Sequence, residues 1–324
     1  MTFLTDRAAP WVRGVLVESY QIIVPLFRIM IPVIILVKIL QEVGLVEVLG
    51  NGLAPLMDLV GLPGSMGLVW AATLLSGLYT GVVVFADLSL LESLTVGQVS
   101  VLSSMMLIAH ALPIELRIVA QAGPRMWSMG VLRIGGALLY GFLLDQTLRA
   151  MNWLQEPARL LWTPEPHSDS LLDWMWSEVQ SLGWVIVILI ALVVLMRLFD
   201  ALRITQLLQR LLTPLLSQLG VGREATNLTV IGVTLGIAYG SGLILREART
   251  GRIPPRDVFF SLSLMGLFHS VIEDTLLMLL IGADWVSIVF GRMLFSLVVM
   301  WGIVRLSSRV PEVRFQQWFW RPTS

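Results

Sequence analysis

Two short stretches, AHALPIE at 109–115 and LFHSVIEDT at 267–275, place ionisable side chains in apolar surroundings. VFFSLSLMG leads into the second stretch and LLMLLIGA follows it. An ionisable side chain at membrane depth costs at least a few kcal/mol, so such groups call for a function. The candidates are His110, Glu115, His269, Glu273 and Asp274. Imidazole with carboxylate suits a proton relay, a hydrogen-bonding site for a polar substrate, or a hard-to-borderline metal ion. His269 and Glu273 are spaced to share one face of a helix. Pro113, between His110 and Glu115, removes a ladder hydrogen bond and frees carbonyls near Ala109. Arg133 and Arg292 fall within apolar helices, where they either snorkel or act as counter-ions to Glu115 or Glu273. The plainer alternative is that the histidines only satisfy buried backbone between packed helices. No nucleophile accompanies the cluster, so an enzyme is not expected.

The elements that hold these residues are set by composition. The chain has 324 residues, 56% of them hydrophobic and only 14% charged, against about 25% charged in a soluble domain. Mean hydropathy is +0.82. Long apolar runs recur at 183–196, 226–245, 258–268, 275–283 and 286–304, the pattern of an all-α integral membrane protein. There is no cysteine, which excludes disulfides and thiolate metal sites. The N-terminal MTFLTDRAAPWVRG lacks the apolar core of a signal peptide. No phosphate-binding loop or basic stripe points to nucleotides or nucleic acid.

The chain repeats itself at an offset of 159 residues. Pro55 falls on Pro214, Gly61 on Gly220, Gly77 on Gly236, Gly81 on Gly240, His110 on His269, Gly123 on Gly282 and Arg133 on Arg292. The chain has only three histidines, so a pair in register is informative. Repeats of this size build many transporters. The expected organisation is a first repeat at 1–148, a polar, Trp-rich periplasmic linker at 149–181, and a second repeat at 182–324. Each repeat starts with a spanning helix, at 20–40 and 182–199. An interfacial amphipathic helix follows, as in 200–218. A glycine-interrupted apolar segment comes next, at 64–93 and 224–248. Two further apolar helices close each repeat, at 98–116 and 127–145, then at 258–275 and 286–304.

Arginine and lysine crowd into 1–19, 115–127, 197–223, 246–257 and 305–324, and are sparse in 38–64, 87–97, 145–180 and 273–286. The positive-inside rule puts the first group, with both termini, in the cytoplasm. Equivalent loops of the two halves switch sign, so the repeats have inverted topology. Inversion needs an odd number of crossings, which follows if each glycine-interrupted segment is a re-entrant helical hairpin. Each repeat then has three spanning helices. Gly77 and Gly81 form one tip, and Gly236, Gly240 and Gly242 the other. Ser76, Tyr79, Thr80, Tyr239 and Ser241 stand at these tips and could line a polar site. A full span, with glycine for close packing, is the alternative.

The segments LLSGLYTGVVV and LGIAYGSGLIL, followed by the helix carrying HSVIEDT, resemble the nucleoside-recognition or "Gate" domain family over about residues 50–145 and 205–305. That domain recurs in concentrative nucleoside transporters, in the membrane part of bacterial ferrous-iron transporters and in spore maturation proteins. The resemblance implies a pore or gate with paired hairpins. The tips here, SGLYTG and AYGSG, lack the acids that concentrative nucleoside transporters carry, and no GTPase domain accompanies them. The expected function is an inner-membrane transporter of a small polar solute, working by alternating access in a bacterial cytoplasmic membrane. The alternatives are a non-transporting scaffold of the spore-maturation type and a divalent metal permease. The expected partners are the lipid bilayer and a small-molecule or ion substrate, with a homo-oligomer compatible and nucleic acid excluded. No cofactor is expected beyond a coupling proton or cation.

Overall fold

A computed structural model describes residues 2–89, 93–159, 170–217, 223–235, 246 and 253–320. The described residues form helices and turns, with two isolated bridges, Thr95 to Pro157 and Pro124 to Trp320. Among the described residues, five helical stretches are long and apolar enough to cross a membrane: Trp11–Glu42, Val96–Gln121, Met126–Ala150, Leu171–Phe199 and Val286–Ser307.

The outer helices are α1 (Thr2–Glu42) and α8 (Leu171–Ala201), which pack on each other. Their outward faces carry Tyr20, Leu36, Ile39, Trp184 and Val187, all exposed. An apolar face of that length is what lipid requires. α8 starts well before the expected 182, so the end of the supposed polar linker is helical. Trp174 and Glu178 are buried there, while Trp153 and Trp176 are exposed. Asp87, expected in a loop, lies in a helix and faces Glu178. Two interfacial candidates, α2 (Leu45–Asp58) and α9 (Ile204–Ser217), follow the outer helices, and each has a proline near its end.

α3 (Met66–Ser76) and α4 (Leu78–Ser89) are apolar arms of 11 and 12 residues. At about 1.5 Å per residue, each reaches little more than half of a hydrocarbon core about 30 Å thick. They meet at Gly77, whose φ of 119° and ψ of 177° suit a residue without Cβ. Gly81 is not part of this tip. It lies one turn inside α4, where a Cβ would run into the Thr73 hydroxyl of α3.

The expected helix at 98–116 is two helices, α5 (Val96–Ile108) and α6 (Leu112–Gln121). Thr95 and Gln98 form a capping box at the start of α5. Ala109 is extended and Ala111 left-handed with φ 46°, and Pro113 stands in the first turn of α6. The expected helix at 258–275 breaks in the same way into α11 (Pro255–Leu267) and α12 (Glu273–Leu280). Phe268 is extended and Ser270 is left-handed with φ 49°. Ala111 and Ser270 are equivalent under the repeat offset, as are Gly123 and Gly282, both at positive φ. The pair α11 and α12 is not among the five long stretches, so among the described residues five of the six expected spans are long enough to cross.

α7 (Met126–Ala150) packs along α5 and α11 and carries Arg133. α13 (Arg292–Ser307) is preceded by a π-helical turn, Val286–Gly291. That turn accepts the Tyr140 hydroxyl on the Ser287 carbonyl at 2.6 Å, and Asp284 caps it through Ser287. A short helix, α14 (Glu312–Phe319), ends the described chain. One core cluster joins α3, α4, α5, α7 and α12, and a second joins α10 (Arg223–Leu235), α11, α13 and α14. The two helix breaks lie where these clusters meet.

Candidate functional site

Each helix break releases carbonyls at the end of the preceding helix, and each is answered by an arginine from the next long helix. Arg133 Nε donates to the Ile108 carbonyl at 2.8 Å. Arg292 Nη2 reaches the His269 carbonyl at 3.5 Å, and its guanidinium lies 4.9 Å from the Phe268 ring centre. Arg292 is 0% exposed. Its Nε and Nη1 have no hydrogen-bond partner among the described residues.

The breaks bring both histidines together. His110 Nε2 and His269 Nε2 are 3.2 Å apart, with ring centres at 4.9 Å. The residues are 6% and 2% exposed, so the pair is closed to bulk solvent. His110 Nδ1 is 2.9 Å from the Met106 carbonyl. A carbonyl only accepts, so Nδ1 carries hydrogen and the neutral ring presents a lone pair at Nε2. Glu115 Oε1 is 3.3 Å from His110 Nε2 and 3.9 Å from His269 Nε2, while Oε2 takes the Arg133 guanidinium. Asp274 Oδ2 is 4.0 Å from His110 Nε2.

The expected pairing of His269 with Glu273 on one helical face does not occur. The left-handed Ser270 interrupts the helix between them, so helical spacing no longer fixes which side chains meet. Asp274, the repeat equivalent of Glu115, approaches the histidines instead. Glu273 accepts a hydrogen bond from the Tyr79 hydroxyl at 2.9 Å, which ties α4 to α12. Arg133 is the counter-ion of Glu115. Arg292 is turned toward the break carbonyl and Phe268 and makes no ion pair with Glu273 among the described residues.

The first hairpin tip rests on the first break. The Ala111 amide donates to the Thr73 carbonyl at 3.0 Å, and a Cβ on Gly77 would touch Ala111 at 3.8 Å. Thr80 is buried and its hydroxyl has no partner among the described residues, while Ser76 ends α3 half-buried. The second break is tied to α10 in a similar way, by the Val271 amide donating to the Val233 carbonyl at 3.2 Å. Gly236, Tyr239, Gly240, Ser241 and Gly242 lie outside the described residues. A polar cavity of about 210 Å³, lined by Thr95, Gln98, Asp145, Arg149 and Gln155, includes none of the expected site residues.

The sequence reading missed the Asp87–Glu178 contact and the Tyr140–Ser287 clamp. The first joins residues far apart in the chain and assigned to loops. The second depends on a π-turn that leaves no periodic signal.

No family model and no solved structure matches the chain. It is similar to an uncharacterised membrane protein of Bacillus subtilis strain 168, YvoD, at 26% identity over 275 residues, covering 82% of this chain and 85% of that protein.

Proposed function

This chain is a membrane protein built from several apolar helices, and from that premise we propose that it is a transporter of a small polar solute. Its gate would be the pair of broken helices that meet at His110 and His269. The carrying observation is the 3.2 Å contact between two imidazoles in equivalent positions of the repeat. In this reading the halves are inverted repeats of the nucleoside-recognition type, with re-entrant hairpins and both termini in a bacterial cytoplasm. The short α3 and α4 arms, the matching left-handed residues and the uneven distribution of arginine support it. The Thr80 hydroxyl and the Arg292 Nε and Nη1, which have no partner among the described residues, are groups that a polar solute could satisfy. The reading assigns no catalytic step.

The closed packing around the histidines also favours a second reading, a membrane scaffold whose breaks only lock helices together. Labelling separates the two. The chain lacks cysteine, so a single cysteine at Ala111 can be probed with membrane-impermeant thiol reagents in right-side-out and inverted vesicles. A transporter exposes it to either side in turn. Protection from both sides would sink the transport reading.

A further inference from the structure

We infer that the two helix breaks form a binding site for a divalent first-row transition-metal ion, held by His110 Nε2, His269 Nε2 and one carboxylate oxygen from each of Glu115 and Asp274. This deepens the transporter reading by naming the class of solute, and it rests on that reading for the claim that the ion is cargo.

The spacing of the donors is the first argument. An ion with metal–ligand bonds of about 2.0–2.1 Å in tetrahedral geometry holds its donors about 3.3 Å apart. His110 Nε2 lies 3.2 Å from His269 Nε2 and 3.3 Å from Glu115 Oε1. Two further separations are 3.9 Å from His269 Nε2 to Glu115 Oε1 and 4.0 Å from His110 Nε2 to Asp274 Oδ2. Both are wider than that spacing, so the two carboxylates draw inward when the ion binds. His110, His269 and Asp274 offer donor atoms that all lie within 4.8 Å of one another.

The second argument is the direction of the lone pairs. With Nδ1 of His110 committed to the Met106 carbonyl, Nε2 faces a carboxylate at 3.3 Å and an imidazole at 3.2 Å. His110 Nε2 and the Glu115 carboxylate are both acceptors, and His269 Nε2 is a third in the tautomer with hydrogen on Nδ1; acceptors that converge in a buried space call for a cation. A backbone carbonyl on the far ring nitrogen is also the partner that orients a metal-ligating histidine.

The donor set narrows the ion. Imidazole favours zinc, iron, cobalt, nickel and copper over magnesium and calcium, and without thiolates nothing selects copper(I). Two carboxylates face the ion, that of Glu115 shared with Arg133, while Arg133 and Arg292 also direct donors to the break carbonyls of Ile108 and His269.

The test is titration of the tag-free, purified full chain with Co²⁺, followed by visible absorption, with Zn²⁺ as competitor. The expected result is one equivalent of Co²⁺ with a four-coordinate spectrum, displaced by Zn²⁺. H110A and H269A should each weaken binding by more than the about 10–100-fold that loss of an outer-shell partner costs. H167A, which removes the chain's third histidine, should leave binding unchanged. H110Q and H269Q repeat the measurement with less change of volume, and monodispersity shows whether each variant is folded. Absence of the spectrum in wild type, or its persistence in folded H110Q and H269Q, would overturn the site. Failure here with alternating labelling at A111C removes the metal and leaves the transporter. Metal binding with A111C silent from both sides keeps the site and removes transport.

Discussion

Arg133 reaches from α7 to the end of α5 and joins both sides of the first helix break. Its Nε takes the Ile108 carbonyl at 2.8 Å, and its Nη1 takes Glu115 on α6. One fixed fork therefore satisfies a freed backbone acceptor and neutralises a half-buried carboxylate. Removing one partner of a fully buried pair costs about 3–5 kcal/mol, and the partial exposure of Glu115 lowers that figure here. R133A is expected to lower the unfolding midpoint sharply in denaturant or heat. R133A/E115A should recover part of the loss, since no charge is then left alone. A double-mutant cycle on purified protein measures this, and additive effects would show that the two groups are not coupled.

Tyr79 and Glu273 make a second bridge, from the hairpin to α12. Y79F leaves Glu273 without its hydroxyl donor, and an unsatisfied group of this kind costs about 1–3 kcal/mol. Y79F should therefore destabilise the wild-type background and have much less effect in E273L. Thermal unfolding of the four proteins in the cycle checks the coupling.

Much of the site could be read in the sequence because rare residues recur in register. His110 and His269 were paired by the repeat offset, and Pro113 signalled the first break. The error over Glu273 came from applying helical spacing across a segment that is not helical. Ser270 at φ 49° resets the direction of the chain, and no residue type at that position announces it. The repeat held the correction, because it pairs Glu115 with Asp274 and not with Glu273. The break that misplaced Glu273 also split the expected span at 258–275. Glu178 reads as solvent-seeking in the sequence, and its burial beside Asp87 is a tertiary feature that local pattern does not carry.

Glycine positions that look alike in sequence should respond differently to alanine. Gly77 has φ 119° and ψ 177°, a region costly for any residue with a Cβ, by about 1–3 kcal/mol. G77A should lose about that much stability and disturb the tip against Ala111. Gly135 lies inside α7, where an added Cβ would meet nothing within 4 Å. G135A should be neutral or stabilising by up to about 1 kcal/mol from helix propensity. Parallel thermal melts compare them, and equal effects would contradict the geometry at Gly77.

The proposed ion site has a defined dependence on pH. Metal binding needs the ring lone pairs of His110 and His269, and protons compete for the same atoms. Lowering pH adds positive charge where the ion would sit and converts ligands into donors. The apparent Co²⁺ affinity should therefore fall as pH falls, with protons released on binding wherever a ring was protonated beforehand. Glu115 modulates this through Arg133, which holds one carboxylate oxygen and leaves the other toward the histidines. R133Q removes that competing charge, so folded R133Q should bind Co²⁺ more tightly than wild type at the same pH. Isothermal titration in two buffers of different ionisation enthalpy reads affinity and proton release together. An affinity that rises on acidification, or weaker binding in folded R133Q, would contradict the assignment of Glu115 as a ligand shared between the arginine and the ion.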